Sequence, residues 1–218
     1  MLAKETVDFL KKLAQNNDRD WFNANKDAFV KANDNVIAMT GDLMSRIAKF
    51  DPEVVGLDPK SCVFRIYRDV RFSKDKSPYK TNLGAFIAPG GKKTMSPGYY
   101  FHIQPGMFFA AAGKHLPDAS ELLKIRNAIS SNTRDFLKIV EATKFKGRFG
   151  ELDGERLSKP PKGFAADAPA IEYLKLKSFT VSEEFSEKLA TSKDYPKLLT
   201  ESFKAAYPLV MFLRKALS

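Results

Sequence analysis

Apolar residues in the first fifty positions recur at helical spacing. Val7, Leu10, Leu13 and Ala14 fall on one helix face. The run "NNDRD" breaks that pattern and offers Asp18 or Asp20 as the cap of a second helix. From Trp21 onward, Phe22, Phe29, Val36, Leu43 and Ile47 stay near the helical period. They predict one long helix over 21–47, softened at Gly41, with its apolar stripe packed on a sheet. "FDPE" closes it, because the residue before a proline avoids helical dihedral angles.

Residues 62–113 change period. "CVFRIYRD", "NLGAFIAP", "GYYFHIQP" and "MFFAAAG" are short aromatic or β-branched runs, separated by "SPYK", "PGGKKTMSPG" and "PG". Connections this short leave no room for helical crossovers, so they predict an antiparallel sheet. Alternation along the first run turns Phe64 and Ile66 to the core and Arg65 and Tyr67 to the other face. In "GYYFHIQ" the same alternation separates Tyr99, Phe101 and Ile103 from Tyr100, His102 and Gln104.

Helical spacing then returns. Asp118 or Ser120 caps "ELLKIRNAIS", and "TRDFLKIVEA" follows. Arg126, beside apolar Ile125, is open to either the sheet or solvent. Residues 144–168, rich in Gly, Pro and Lys, read as a long loop. Pro169 opens a helix at "PAIEYLKLK", and the chain from Ser182 reads as helix, with Pro196 and Pro208 marking starts or kinks. The prediction is an α+β fold in a single domain, 1–218. A mainly antiparallel sheet over about 62–113 is covered on its apolar face by N- and C-terminal helices. The helical parts are 1–50 and 118–218, and the sheet with its basic motif occupies 60–115.

Composition supports a real core: 44% of residues are hydrophobic and 12% aromatic, which argues against disorder. Lys4, Glu5 and Asp8 stand where a signal peptide needs an apolar core, and no apolar run approaches the ~20 residues of a membrane helix. The expectation is a cytoplasmic protein with no membrane partner. The lone Cys62 excludes an intramolecular disulfide and reads as core. With His102 and His115 it makes three ligands, one short of a tetrahedral Cys/His zinc site. A carboxylate site for a hard metal stays open. "GGKKT" at 90–94 imitates the end of a phosphate-binding loop. However, Phe86 replaces the required upstream glycine, Lys93 replaces the required Ser or Thr, and strands flank it on both sides, so it reads as a hairpin tip. The sequence leaves the identity of any cofactor open.

Charge then redirects attention to one stretch. The chain carries a net charge of +10. Lys60, Arg65, Arg68, Arg71, Lys74, Lys76 and Lys80 face only Asp69 and Asp75 between positions 60 and 80, so half of that charge sits in a tenth of the chain. A solubilising surface would spread it more evenly. Arg65, Arg68, Arg71, Lys74, Asp75, Lys76, Tyr79 and Lys80 are the candidate ligand-binding residues, since arginine suits planar, bidentate recognition of phosphate or carboxylate. Arg65, Tyr67, Tyr100 and His102 would form one polar wall. Within it His102 is the group that titrates near neutrality. His102, Tyr100 and Asp69 are the candidate catalytic residues. Each has a plainer reading: Asp69 and Asp75 as ion-pair partners, His102 as a hydrogen-bonded structural residue, Tyr79 as a packing residue.

"RIYRDVRFSKDKSPYK" resembles the signature of DUF2461, a family of uncharacterised bacterial and fungal proteins. The pattern is R-x-x-R-D-x-R-F followed by Asp or Asn, Lys and Tyr. Here these are Arg65, Arg68, Asp69, Arg71, Phe72, Asp75, Lys76 and Tyr79. "NNDRDWF", "PGYYFHIQPG", Gly113, Ile125 with Arg126, "PKGF" and "YLKLKSF" are similar to the family as well, while Ala168 departs from it where a histidine is expected. The resemblance implies a single-domain unit with its site at the motif, and implies no reaction. Three functions fit these residues. The favoured one is binding of a phosphorylated or other anionic small ligand in a basic cleft, with His102 or Tyr100 moving a proton. The others are nucleic-acid binding through cations interleaved with Tyr67, Phe72, Tyr79 and Tyr100, and an Arg–Asp network with a purely structural role.

Overall fold

The computed structural model describes residues 1–218. Four strands, β1 (Leu83–Ile87), β2 (Gly98–Gln104), β3 (Met107–Lys114) and β4 (Phe179–Phe185), form one antiparallel sheet in the order β1-β2-β3-β4. A ten-residue connection, 88–97, joins β1 to β2, and a tight two-residue hairpin, Pro105 and Gly106, joins β2 to β3. Helices α1 (Lys4–Gln15), α2 (Arg19–Ala24), α3 (Lys26–Ile47) and the short α4 (Pro59–Cys62) precede the sheet. Helices α5 (Ala119–Ser131), α6 (Thr133–Val140), α7 (Thr143–Phe149) and α8 (Ile171–Leu174) lie between β3 and β4. Helices α9 (Glu187–Ala190) and α10 (Tyr195–Leu217) end the chain. The fold is α+β, and no helix is long and apolar enough to cross a membrane.

Strand register builds the core. Ile87, Tyr99, Ala112 and Val181 form one cross-strand row, and Leu83, Ile103, Phe108 and Phe185 another. All are buried. Helix α10 lies across β3, and α3 packs against β1 and α10. The Tyr99 ring meets Phe203 of α10 at 5.3 Å between centroids. Capping follows the sequence: Asp18 accepts from the Trp21 N–H at 2.8 Å, and Asp118 with Glu121 forms a reciprocal capping box.

A buried ion pair ties three elements together. Asp51, just past α3, accepts from the Tyr99 hydroxyl at 2.8 Å and from Arg214 Nη1 at 3.0 Å. Arg214 of α10 also donates from Nε to the Pro97 carbonyl at 2.9 Å. Arg126 turns to neither sheet nor solvent: Nε donates to the Leu174 carbonyl at 2.7 Å and Nη2 to that of Leu176 at 3.2 Å. It therefore holds the turn that delivers β4.

Five local expectations are corrected. The helix predicted over 21–47 is two helices, broken at Asn25, whose backbone leaves the helical region. Residues 62–69 are not a sheet strand. Cys62 ends α4, Val63 makes a single bridge to Ala85, and the chain then leaves β1 to pair Tyr67 with Tyr79. Past the buried Cys62, the buried residues are Val63 and Ile66, three apart rather than two, so Phe64 turns outward. Residues 144–149, the start of the expected long loop, belong to α7. Phe145 and Phe149 pack edge to face at 5.1 Å across one turn, and the helix accommodates Gly147.

The last correction concerns β4, which covers Ser182 and the residues read as the start of a helical tail. The alternation Phe179, Val181, Phe185 is interrupted by Glu183 at an inward position. That carboxylate accepts from Arg148 of α7 at 2.8 Å and from the Ser202 hydroxyl of α10. A charged residue at a core position hid the strand period, and two partners distant in sequence make it tolerable.

Candidate functional site

The charged motif folds into a loop that satisfies itself. Arg71 grips Asp69 through two parallel bonds, Nε to Oδ1 at 2.9 Å and Nη2 to Oδ2 at 2.7 Å. Arg68 pairs with Asp75, whose other oxygen accepts from the Ser77 N–H at 2.9 Å and hydroxyl at 2.6 Å. Lys76 Nζ donates to the Val70 carbonyl at 3.0 Å. Hydrogen bonds from Ser77, then Arg68, hold the Asp75 carboxyl far below the usual carboxylate range, and bonds from Arg71 lower that of Asp69. These pairs lie in solvent, so they shape the loop more than they stabilise the fold.

The loop is moored at its C-terminal foot. The Tyr79 ring is buried and stacks on Phe22 at 3.9 Å, 13° from parallel. The Asn17 side chain bonds both the N–H and the carbonyl of Tyr79, at 3.1 and 3.0 Å. "NNDRD" and "SPYK", far apart in sequence, thus form one joint. At the opposite extreme Phe72 is 95% exposed, with the Arg71 guanidinium 5.8 Å from its ring centre.

A concave site lies elsewhere, on the sheet face opposite the helices. A cleft of about 520 Å³ opens there. One cross-strand row runs beneath it: Phe86 of β1, Tyr100 of β2, Ala111 of β3 and Ser182 of β4, each directly paired with the next. Gly98 and Gly113 pair in the adjacent row and leave depth. At Gly113 (φ 122°) a Cβ would sit 2.1 Å from the Phe179 carbonyl oxygen, so no other residue fits. Phe109 and outward-turned Phe64 add aromatic wall, and Phe64 meets Tyr100 edge to face at 6.1 Å.

Three lysines line this cleft, with different commitments. Lys92, from the hairpin tip, donates to the carbonyls of Ser61 at 2.9 Å and Val63 at 2.6 Å. Lys114 is buried, bonded to the Met95 carbonyl at 2.7 Å and to Glu121 at 2.6 Å. Lys80 has no ion pair; its ammonium rests 5.6 Å over the Phe64 ring. Burial, then the positive Arg65 nearby, depresses its pKa. Phe64, Lys80 and Lys92 also wall a neighbouring groove of about 620 Å³ that contains Lys60 and Arg65. The cleft's one lining carboxylate, Asp153, accepts from the Ser182 hydroxyl at 2.8 Å.

A hydrogen-bonded row leaves the cleft along β2. Tyr100 Oη lies 2.8 Å from His102 Nδ1, and His102 Nε2 lies 3.2 Å from Gln104 Oε1. Because the Gln104 oxygen only accepts, Nε2 carries the proton and Nδ1 accepts from Tyr100. The imidazole stacks on Phe109 at 4.8 Å. Burial pushes Tyr100 up to about 12 and His102 downward. Tyr100 is therefore a neutral phenol with a neutral imidazole behind it.

The structure brings Tyr100, His102 and Lys80 together, with Arg65 in the adjoining groove. It places Arg68, Asp69, Arg71, Lys74, Asp75 and Lys76 in the outer loop and Tyr79 beneath it, away from His102. Tyr67 sits beside Phe22 and Tyr79, not in a wall with Tyr100. The lining residues Phe64, Phe86, Phe109, Ala111, Asp153 and Ser182 escaped sequence reasoning. Alternation in "MFFAAAG" already put Phe109 and Ala111 on one face, which is the signal that was present for two of them. No group of three or more His, Cys, Asp and Glu side chains could hold a metal ion.

No curated protein and no solved structure matches the chain. The model of the DUF2461 family, described as a conserved hypothetical protein, matches residues 5–212, and the chain therefore belongs to that family.

Proposed function

We propose that the protein binds an anionic small molecule, a phosphate ester or similar, in the cleft over the open sheet face. Lys80 is the anion's principal partner and Arg65 its neighbour, while Phe64, Tyr100 and Phe109 enclose the less polar part. The observation that carries this reading is the contrast among the three cleft lysines. Lys92 and Lys114 are consumed by protein acceptors, whereas Lys80 sits partly buried beside another cation with none. Withdrawing a cation from water without a counter-charge is costly, and a bound anion removes that cost. Tyr100, whose one proton is donated to His102 Nδ1, offers its hydroxyl oxygen as an acceptor to the ligand and can take a proton from it while passing its own to His102. Asp69 is engaged by Arg71 in the outer loop and has no role at the cleft in this reading.

The test is thermal unfolding of wild type and Lys80→Met against inorganic phosphate, nucleotides and sugar phosphates. A ligand at a hundred times its Kd stabilises the native state by about 2.7 kcal/mol. The expected outcome is stabilisation of wild type by at least one phosphate ester and its loss in the variant. Equal stabilisation of both proteins, or none of wild type, rejects the reading.

A second reading rests on a separate observation: Tyr67, 49% exposed, and Phe72 present their rings to solvent, Phe72 beside the Arg71 guanidinium. We propose single-stranded nucleic acid as the alternative partner of this outer loop, with bases stacked on the exposed rings.

A further inference from the structure

The cleft is polar in a directed way. Along the row Phe86, Tyr100, Ala111, Ser182 the side chains pass from aromatic ring, to phenol, to methyl, to hydroxyl. Three inter-strand spacings make this row about 14 Å long. Lys80 stands at its β1 end. There the backbone of Phe64, whose ring underlies the Lys80 ammonium, bonds to Gly84 of β1. Asp153 stands at the β4 end, where its N–H bonds to the Thr180 carbonyl at 2.7 Å and its carboxylate accepts from Ser182.

The Asp153 placement is built into the backbone. Gly154 follows it at φ 137°, and a Cβ there would lie 3.0 Å from the Ser178 carbonyl oxygen. Only glycine lets the segment lie this close to the start of β4. Ser182 occupies one carboxylate oxygen, and the other makes no hydrogen bond within the protein. A carboxylate without a cation, across a cleft from a lysine without an anion, defines two ends of opposite character.

Resting on the ligand-binding reading above, we propose that the cleft selects a phosphate ester bearing a flat aromatic group, with a hydrogen-bond donor on that group remote from the phosphate. The phosphate meets Lys80 and Arg65 at the β1 end. The flat body lies over Ala111, against Tyr100 and Phe109. An amino or hydroxyl group at the β4 end donates to Asp153. A nucleoside monophosphate is the compact member of this class. Inorganic phosphate and short-chain sugar phosphates are too small to engage both ends of a row this long.

Calorimetric titration with two probes separates this inference from the reading beneath it. Adenosine monophosphate has the donor; 2-naphthyl phosphate is a flat phosphate ester without one. Wild type is expected to bind the first at least tenfold more tightly. Asp153→Asn, which replaces the charged acceptor with one neutral amide oxygen, should shrink that ratio severalfold while still binding 2-naphthyl phosphate. Ser182→Ala, which frees the carboxylate from its orienting hydroxyl, should shrink the ratio severalfold and serves as a second variant if Asp153→Asn misfolds. Lys80→Met and the cleft-filling Ala111→Leu should weaken both probes at least tenfold. An unchanged ratio in Asp153→Asn, or in Ser182→Ala where it stands in, overturns the two-ended inference and leaves the anion reading intact. Wild-type affinities retained in both Lys80→Met and Ala111→Leu overturn both, and no binding of either probe by wild type overturns the two-ended inference.

Discussion

Two aromatic residues of the signature stretch, Phe72 and Tyr79, have opposite fates that the residue types alone do not distinguish. Phe72 is 95% exposed and touches little besides Arg71, whereas Tyr79 is buried against Phe22. Tyr79→Ala should therefore destabilise the protein by about 3–5 kcal/mol, the range for removing a buried aromatic ring. Phe72→Ser should stay within about 0.5 kcal/mol of wild type. Urea unfolding midpoints at a constant m-value give both numbers. A large loss in Phe72→Ser would mean that this ring packs in solution. Sequence inspection identified the stretch and its charged residues, but spacing does not reveal which charges satisfy each other. Arg71 with Asp69 and Arg68 with Asp75 become pairs because the chain doubles back between Tyr67 and Tyr79.

Among elements, β2 is the one that must not move, since it carries Tyr99 inward and Tyr100 outward on consecutive residues. The Asp51–Arg214 pair with the Tyr99 hydroxyl fixes it to α10 and to the end of α3. Asp51→Ala removes the buried partner of Arg214 and leaves it only the more exposed Glu53 carboxylate at 3.5 Å, and should cost about 3 kcal/mol, read by urea unfolding. The double replacement Asp51→Leu with Arg214→Met should recover most of that loss, because it removes both charges at once. A double variant no more stable than Asp51→Ala would show that the charge itself is not the source of the cost. Helices α1, α3, α5 and α6, the three hairpin strands and the Asp18 and Asp118 caps were legible because their patterns are local. Strand β4 was not, since Glu183 occupies a core position whose partners, Arg148 and Ser202, lie 35 and 19 residues away.

For the whole molecule, the basic run of residues 60–80 is not one basic surface. The fold divides it into a self-paired outer loop, a groove with Lys60 and Arg65, and a cleft wall with Lys80. The net charge of +10 still favours anionic partners at long range. If the outer loop binds single strands, anisotropy of a labelled short oligonucleotide should show affinity falling steeply with salt, with a log–log slope of about −0.7 per phosphate contacted. Phe72→Ser should then weaken binding without flattening that slope. A flat salt response removes this partner. By itself the sequence determined the α+β class, the hairpin sheet, the family and the stretch richest in charge, because periodicity, turn residues and linear motifs are local properties. Only the tertiary structure decided where a concave site exists. The cleft takes Phe64 from before the sheet, Phe86, Tyr100 and Ala111 from its first three strands, and Asp153 and Ser182 from about forty and seventy residues later. Strand register and the late arrival of β4 bring these together, and neither follows from any single stretch of chain.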